Sequence, residues 1–358
     1  MKKKIFYAAL SLCAISNYVN AQDSTRKVDL SGSVDAYYRH DFANSGTNNF
    51  TSFTNSQNSF EVGMATLRVD ASALSGKVAA TIDVGFGRRA EEFSYNDGDA
   101  GTNKNGFISL SNLKQLFITY NVNSKLKFTA GKFATHVGYE LLDAPLNRNY
   151  SMSYMFTNGP FFHAGLKADY VAGPIGLMLG LTNYTDQTSA TNSVKSLIGQ
   201  VNGSFNGGNS KFYLNYVGSY GSDNLLIPGG LKSLTQYDLV VTQVVNSKLN
   251  LALNATLQHR TNGTTKGSWK GAALYVNYDP TAKLGFTLRS EYVSDNDLVY
   301  FGTQHLFANT LSLNYKVGPL TIVPELRFDQ SKAAIFSKSG GASTTHAASA
   351  LVAILYKF

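Results

Sequence analysis

The sequence predicts an all-β protein: a transmembrane, antiparallel, up-and-down β-barrel of sixteen strands, with long external loops and short periplasmic turns. Three observations lead to this prediction. Charged residues make up only 15% of the 358 residues, against about 25% in soluble domains. Apolar and polar residues alternate at period two along many segments, and these segments are joined alternately by short and long connections.

The chain opens with a segment typical of secretory signal peptides. Lys2, Lys3 and Lys4 form a basic start, an apolar stretch follows to residue 15, and Val19-Asn20-Ala21 has the small residues of a cleavage site. We expect residues 1–21 to be removed and residues 22–358 to form a single barrel domain. No apolar run in that part approaches the roughly 18 residues that a membrane helix needs.

Charge and cysteine content exclude several classes of site. Removing the three N-terminal lysines from 31 basic residues leaves 28 against 23 acidic ones, a net charge of +5 that is scattered along the chain. Without a basic stripe we predict no nucleic-acid partner. The single cysteine, Cys13, lies in the signal segment, so the mature chain has no disulfide or thiolate metal site.

The alternation is clearest at residues 249–258, where leucines on one face oppose Asn, Thr and Gln on the other. This pattern predicts a strand that is apolar on one side. The same rule gives sixteen strands along the mature chain. They are predicted to start near residues 27, 59, 77, 113, 125, 161, 174, 194, 211, 234, 248, 268, 284, 305, 320 and 346.

The connections distinguish a membrane barrel from a soluble sandwich, which also alternates. Seven short turns such as Asn123-Ser124 and Gly173-Pro174 alternate with eight long loops, and both termini fall on the short side. The long loops are predicted at residues 43–58, 91–112, 136–160, 185–193, 222–233, 261–267, 295–304 and 331–345. This layout is that of an outer-membrane barrel.

Aromatic residues collect at the predicted strand ends, where amphipathic rings would lie at the membrane interface. The tyrosines concerned are Tyr37, Tyr38, Tyr120, Tyr170, Tyr184, Tyr278, Tyr292, Tyr315 and Tyr356. The chain closes with residues 352–358 and a terminal Phe358, which resembles the C-terminal assembly signal of Gram-negative outer-membrane barrels.

A more specific resemblance lies between residues 131 and 165. Gly131-Lys132-Phe133-Ala134-Thr135, Gly138-Tyr139-Glu140, Asn147-Arg148-Asn149-Tyr150-Ser151 and Gly159-Pro160-Phe161-Phe162-His163-Ala164-Gly165 resemble the middle of the OmpL-like family of β-barrel porins. The resemblance implies a passive channel in the outer membrane and supplies no catalytic residues. Similarity to sixteen-stranded porins further implies a homotrimer.

A sixteen-stranded barrel is wide enough for an aqueous lumen, so we expect polar strand positions to face solutes. Charged candidates for the lumen wall are Arg68, Arg89, Arg289, Glu291, Glu325 and Arg327. Alternatively, oppositely charged neighbours on one strand only neutralise each other.

The third long loop, residues 136–160, occupies the position at which general porins fold a loop into the barrel. Our hypothesis is that Glu140, Asp143 and Arg148 form a constriction there, with the two carboxylates facing wall arginines across the path. The alternative is an external loop held by its aromatic residues.

Other site chemistry has weak support. Asp97-Gly98-Asp99 begins like a calcium loop, but Ile108 stands where a bidentate Glu is required. The six histidines have no metal-ligand spacing, and no Gly-x-Ser-x-Gly elbow or other triad motif is present. We therefore predict no metal, no cofactor and no enzymatic activity. A plugged transporter is disfavoured because strand one follows directly after the cleavage site.

The function predicted from the sequence is passive diffusion of small hydrophilic solutes or ions across the cell outer membrane. Expected partners are outer-membrane lipid, lipopolysaccharide and the assembly machinery, which would read the C-terminal strand ending at Phe358. The rival interpretation is a non-conducting barrel that acts in adhesion or envelope structure through its external loops.

Overall fold

The structure is a computed structural model that describes residues 26–95, 110–190, 192–222, 226, 230–263 and 265–358. The predicted signal peptide at residues 1–21 and the sequence Asp97-Gly98-Asp99 lie outside the described residues.

Sixteen long strands and a few short elements make up the described chain. The strands are β1 (Lys27–Asp41), β2 (Ser59–Ala73), β3 (Val78–Phe86), β4 (Leu113–Asn121), β5 (Leu126–Ala134), β6 (Phe162–Ala172), β7 (Ile175–Asn183), β8 (Lys195–Phe205), β9 (Ser210–Tyr220), β10 (Ser233–Val244), β11 (Leu249–Thr261), β12 (Lys266–Tyr278), β13 (Leu284–Ser294), β14 (His305–Val317), β15 (Leu320–Ser331), β16 (Phe336–Ser337), β17 (Ser343–Thr344) and β18 (His346–Lys357). The helical turns are α1 (Arg88–Phe93), α2 (Tyr154–Thr157) and the 3₁₀ turns Ala144–Leu146 and Asn206–Gly208. Among the described residues, no helix is long and apolar enough to cross a bilayer.

The long strands form one closed antiparallel barrel in chain order, with β18 pairing both β15 and β1. The closing seam runs from Ser33 opposite Lys357 to Asp41 opposite Ser349. The predicted fold class and strand number are therefore confirmed. Each predicted start lies within two residues of the observed one, the largest difference being at β12, which begins at Lys266.

Burial along the strands follows the predicted alternation. On β7, Leu177, Leu179 and Leu181 are 45%, 62% and 58% exposed, whereas Met178 and Thr182 between them are 6% and 1% exposed. A barrel with apolar side chains outside and buried or polar ones inside fits a lipid surround. The outer face also carries exposed tyrosines near strand ends. These are Tyr120, Tyr170, Tyr278, Tyr292, Tyr315 and Tyr356.

Two of the tyrosines predicted at the membrane interface point inward instead. Tyr37 is 3% exposed and its ring lies 5.3 Å from that of Tyr150 in the third loop. Tyr184 packs against buried Val194 and Leu234 at the long-loop end. Their place at strand ends does not decide which face they occupy, because the parity of each position within its strand does.

Candidate functional site

The third loop, residues 136–160, runs down the inside of the barrel from the long-loop end toward the short turns. Gly138 donates its backbone N–H to Asp238 of β10 at 3.0 Å. Further down, Arg148 binds Asp279, which directly follows the last residue of β12. The loop therefore reaches the short-turn end of the lumen.

From there the third loop returns toward the long-loop end along β13 and β15. The backbone N–H of Tyr150 donates to Glu325 at 2.8 Å. Higher up, the N–H groups of Tyr154 and Met155 donate to the two oxygens of Glu291 at 2.9 and 2.8 Å. Two of the predicted wall carboxylates thus accept hydrogen bonds from the backbone of the third loop.

The third loop touches opposite sides of the barrel. Val137 packs against Met178 and Ile198 on β7 and β8. Tyr150 packs against Tyr37 and Leu351 on β1 and β18. These pairs of strands are about half the sixteen-strand circuit apart. The loop therefore spans the full width of the lumen.

Glu140, which was expected to face one of several wall arginines, forms an ion pair with Arg289. The Arg289 side chain is 0% exposed and that of Glu140 is 5% exposed. Arg289 also donates to the carbonyls of Ser151 at 2.7 Å and Met152 at 3.2 Å. Water does not reach this pair, so it does not act on a passing solute. Together with the bonds to Ser151 and Met152, it holds the loop to the wall.

Arg327 lies on β15, two strands from Arg289 on β13, and anchors the same part of the loop. It forms an ion pair with Asp329 at 2.9 Å and donates to the carbonyl of Met152 at 2.8 Å. The ring of Tyr154 lies 4.9 Å from its guanidinium carbon, and the Tyr154 hydroxyl donates to Asp329 at 3.0 Å. Arg327 and Asp329 are oppositely charged neighbours on one strand. They match the alternative given from the sequence, in which such neighbours only neutralise each other.

Arg89 does not lie on a wall strand, contrary to the sequence prediction. The strand ends at Phe86, and Gly87 adopts a φ of 118°, which turns the chain into α1. Arg89 donates from there to the carbonyl of Tyr150 at 3.3 Å and lies 4.8 Å from the centre of the Phe53 ring. It still contacts the third loop, but from α1 at the long-loop end of the barrel rather than from a strand of the wall.

Asp143 and Arg68 lie at a cavity of about 240 Å³ near the short turns. The Lys114 ammonium lies 2.5 Å from Asp143 and 3.0 Å from Asp83, and Arg68 lies 3.8 Å from Asp83. The sequence analysis missed Lys114. A bulge after Asp83 shifts the pairing of β3 with β4 and leaves Lys114 as the extra residue. No pattern in the sequence predicts this bulge.

Arg148, the third predicted constriction residue, pairs with Asp279 at 2.5 Å, and their side chains are 28% and 36% exposed. Its Nε donates to Thr287 at 2.8 Å. A cavity of about 130 Å³ adjoins it, with Asn314 and Lys316 on the far side. Arg148 and Asp143 are therefore the predicted loop charges that solvent reaches.

Three inward-facing glycines of the wall leave room for the third loop. A Cβ on Gly285 would lie 2.7 Å from Arg148, and one on Gly271 would lie 2.9 Å from Met155. A Cβ on Gly63 would collide with the Tyr150 hydroxyl and with Asp35, to which that hydroxyl donates at 2.5 Å. Such close approaches need the absent side chain of glycine.

Within the described residues, no group of three or more His, Cys, Asp and Glu side chains is arranged to hold a metal ion.

Residues 27–358 match the family described as "Putative beta-barrel porin-2, OmpL-like". The chain belongs to this porin family. The porin is accordingly an outer-membrane β-barrel of a Gram-negative cell, and its family assignment and closed barrel agree with a passive channel. No curated protein sequence matches it.

Solved structures share the fold of the porin at low sequence identity. The outer membrane channel DcaP of Acinetobacter baumannii is 15% identical, with 93% of this chain and 97% of that chain covered and a TM-score of 0.62. An anion-selective porin from Comamonas acidovorans is 14% identical, with 93% and 100% covered and a TM-score of 0.62. The trimer form of OmpT from Vibrio cholerae is 12% identical, with 93% and 99% covered and a TM-score of 0.58.

Proposed function

We propose that this porin lets small hydrophilic solutes diffuse passively across the outer membrane, without catalysis, along a path whose width the third loop sets. The observation that carries the proposal is the contact of the loop with opposite walls, through Val137 on one side and Tyr150 on the other. Any solute that crosses the lumen has to pass this loop.

The charged contacts along the path have two proposed roles, positioning the third loop and setting the electric field. Buried pairs such as Glu140 with Arg289 position the loop, since water does not reach them. Partly exposed groups such as Asp143 and Arg148 face the cavities near the short turns and set the field that a passing ion meets. The proposed constriction therefore consists of Asp143 and Arg148, and the buried wall residue Lys114 holds Asp143 in position.

Because the loop contacts opposite walls of the lumen, a change in its position is expected to change the conductance. Met155 and Gly271 allow a direct test. A Cβ on Gly271 would lie 2.9 Å from the Met155 Cγ, so cysteines at both positions fall within disulfide reach. Since the only native cysteine is Cys13, no other thiol in the mature chain competes.

The experiment is single-channel recording of the refolded mature protein in a planar bilayer, with reversal potentials in a salt gradient. We expect stable conductance steps with a measurable ion preference. In the Met155→Cys, Gly271→Cys variant, we expect smaller or rarer steps when oxidised and native steps after reduction. Each single-cysteine variant is the control.

Two outcomes would contradict the proposal. Persistent silence from protein shown to be folded would favour the rival interpretation, an adhesive or structural barrel. Equal conductance of the oxidised and reduced variant, with the disulfide verified by mass, would show that movement of the third loop does not limit the current.

We further propose that the porin is a homotrimer in contact with lipopolysaccharide. Support comes from the trimer form of the similar Vibrio cholerae barrel and from the apolar outer face described above. Native mass spectrometry of the detergent-solubilised protein tests it, because a monomeric mass without retained lipid would contradict both parts.

A further inference from the structure

Besides the cavities near the short turns, a cavity of about 140 Å³ lies at the long-loop end of the lumen. It has room for several water molecules. We call it the tyrosine cavity. Its lining includes Tyr95, residues 157–160 from the end of the third loop, Tyr184, Thr185 and Asp186 from the loop after β7, the wall residues Gln236 and Gln258, and Tyr300.

Amide side chains form the floor of the tyrosine cavity. The Gln258 Oε1 accepts hydrogen bonds from the Tyr300 hydroxyl at 2.8 Å and from the Trp269 indole at 3.2 Å. Its Nε2 donates to Gln236 at 3.0 Å, and the Gln236 Nε2 makes a bond of 3.4 Å to Thr256. An amide NH₂ can donate twice, so Gln236 keeps donor capacity for a ligand.

The cavity offers a ligand little free charge. Asp186 is the one charged side chain among its described lining residues, and its Oδ1 accepts the backbone N–H groups of Phe161 at 2.6 Å and Phe162 at 3.0 Å. Its Oδ2 accepts the Tyr95 hydroxyl at 3.1 Å. With these three donors, the carboxylate is largely satisfied by the protein itself.

Arg260, a cation beside the lining residue Tyr300, is also occupied. Arg260 lies 4.4 Å from the centre of the Tyr300 ring and donates to the carbonyl of Val299. The contrast with the short-turn end is marked, because Arg68, Lys114 and other charged side chains line the cavity there. The two cavities therefore present different chemistry.

We propose that the tyrosine cavity binds an uncharged, polyhydroxylated solute of the size of a monosaccharide. Gln258 is fully bonded, because its Nε2 also donates to the carbonyl of Asn158 at 3.4 Å. Gln236 keeps one N–H donor, and the Tyr300 hydroxyl, which donates to Gln258, can still accept, so uncharged groups on the lining match the hydroxyl groups of such a solute. The inference rests on the proposed function, because the solute is taken to be cargo of the channel.

Binding at this position touches the third loop directly. Thr157, Asn158, Gly159 and Pro160 form part of the cavity wall and also lead the loop into β6. A bound solute therefore contacts the element that is proposed to set the width of the path.

The single tryptophan of the chain, Trp269, provides a reporter because its indole donates to Gln258 on the cavity floor. The refolded porin is titrated with glucose, and with glucuronate and glucosamine as its anionic and cationic counterparts. Tryptophan emission and saturation-transfer NMR of the sugar are recorded together. We expect saturable binding of glucose and at least tenfold weaker binding of both charged sugars.

The site is located with matched variants. Tyr184→Ala and Gln236→Ala each remove a lining side chain, and we expect each to weaken glucose binding about tenfold. Tyr213→Ala is the control, since Tyr213 lies on β9 nearer the short turns and does not line the cavity. Absence of saturable glucose binding by both readouts, equal binding of all three sugars, or equal loss in the Tyr213 variant would overturn the proposal.

Flux separates this inference from the proposed function. Liposomes that contain the porin are tested for swelling in glucose. Swelling without saturable binding would leave the channel function standing and remove the cavity as a sugar site. Saturable binding without swelling or conductance would support the site and contradict the channel.

Discussion

At the scale of single residues, the porin uses glycine on the wall and carboxylates beneath the third loop to hold that loop inside the barrel. Gly63 and Gly285 leave hollows for Tyr150 and Arg148. Methyl groups at these positions would have to displace the loop side chains together with Asp35 and Asp279, the carboxylates that bind them, since real Cβ atoms do not approach neighbours so closely. The consequences are testable one residue at a time.

We predict that Gly63→Ala and Gly285→Ala change single-channel conductance while the barrel still forms. The loop contact has to shift, whereas the strand pairing on either side is unaffected. Conductance histograms of the two variants are compared with those of Gly199→Ala, where an added Cβ would lie 3.7 Å from its nearest neighbour. Native histograms in all three variants would show that the hollows do not fix the loop.

We predict different effects for two carboxylates of the third loop. Glu140→Gln leaves buried Arg289 without its counter-ion, which destabilises a protein by about 3–5 kcal/mol. Asp143→Asn removes a partly exposed charge and leaves Lys114 paired with Asp83 at 3.0 Å, so it is expected to shift the reversal potential in a salt gradient and to cost less stability than Glu140→Gln. Urea unfolding in lipid vesicles and bilayer recording check the two parts. A reversed pattern would move the constriction to Glu140.

At the scale of elements, the loop after β7 is attached to the start of β6, directly after the third loop, through one buried carboxylate. Burial raises the pKa of Asp186 to about 6, although backbone hydrogen bonds from Phe162 and Phe161 oppose that rise. A raised pKa means that the folded state holds the proton more tightly than the unfolded chain. This group therefore favours folding most below its ordinary value of 3.8 and progressively less as the pH rises to about 6.

We predict that the stability of the wild type relative to Asp186→Asn rises as the pH falls from 7 to 4. The asparagine variant lacks the titration, so the difference between their urea midpoints in vesicles reports Asp186 alone. The Arg148 bonds lower the pKa of Asp279, and that pair has the opposite sign, losing stability under acid. A difference between wild type and variant that does not vary with pH would contradict the prediction.

Strands, more than loops, could be predicted from the sequence. Period-two alternation and turn residues located β1 through β15 and β18, because both signals are local. Helix α1 was missed since it spans six residues and depends on the turn at Gly87. The inward position of Lys114 depends on a bulge, and the contact of Glu140 with Arg289 joins residues 149 positions apart. Such long-range contacts leave no periodic signal.

At the scale of the whole molecule, the barrel is completed by pairing its two ends. Phe358 exchanges two backbone hydrogen bonds with Gly32, at 3.0 and 3.1 Å. Its ring is 52% exposed and lies 6.2 Å from that of Tyr356 on the outer face. Since so much of the ring stays exposed, it contributes little to the stability of the closed barrel.

The exposed ring of Phe358 is therefore expected to serve assembly rather than stability. We predict that Phe358→Ala refolds in detergent with a nearly native urea midpoint, yet gives less folded barrel in the outer membrane of cells. The backbone bonds to Gly32 remain, whereas the side chain that a partner would read is gone. Phe60→Ala is the matched control, because its ring is 89% exposed and lies away from the chain terminus. Heat-modified gel mobility measures the folded fraction. Equal losses for both variants in cells, or failure of Phe358→Ala to refold alone, would assign the ring a structural role instead.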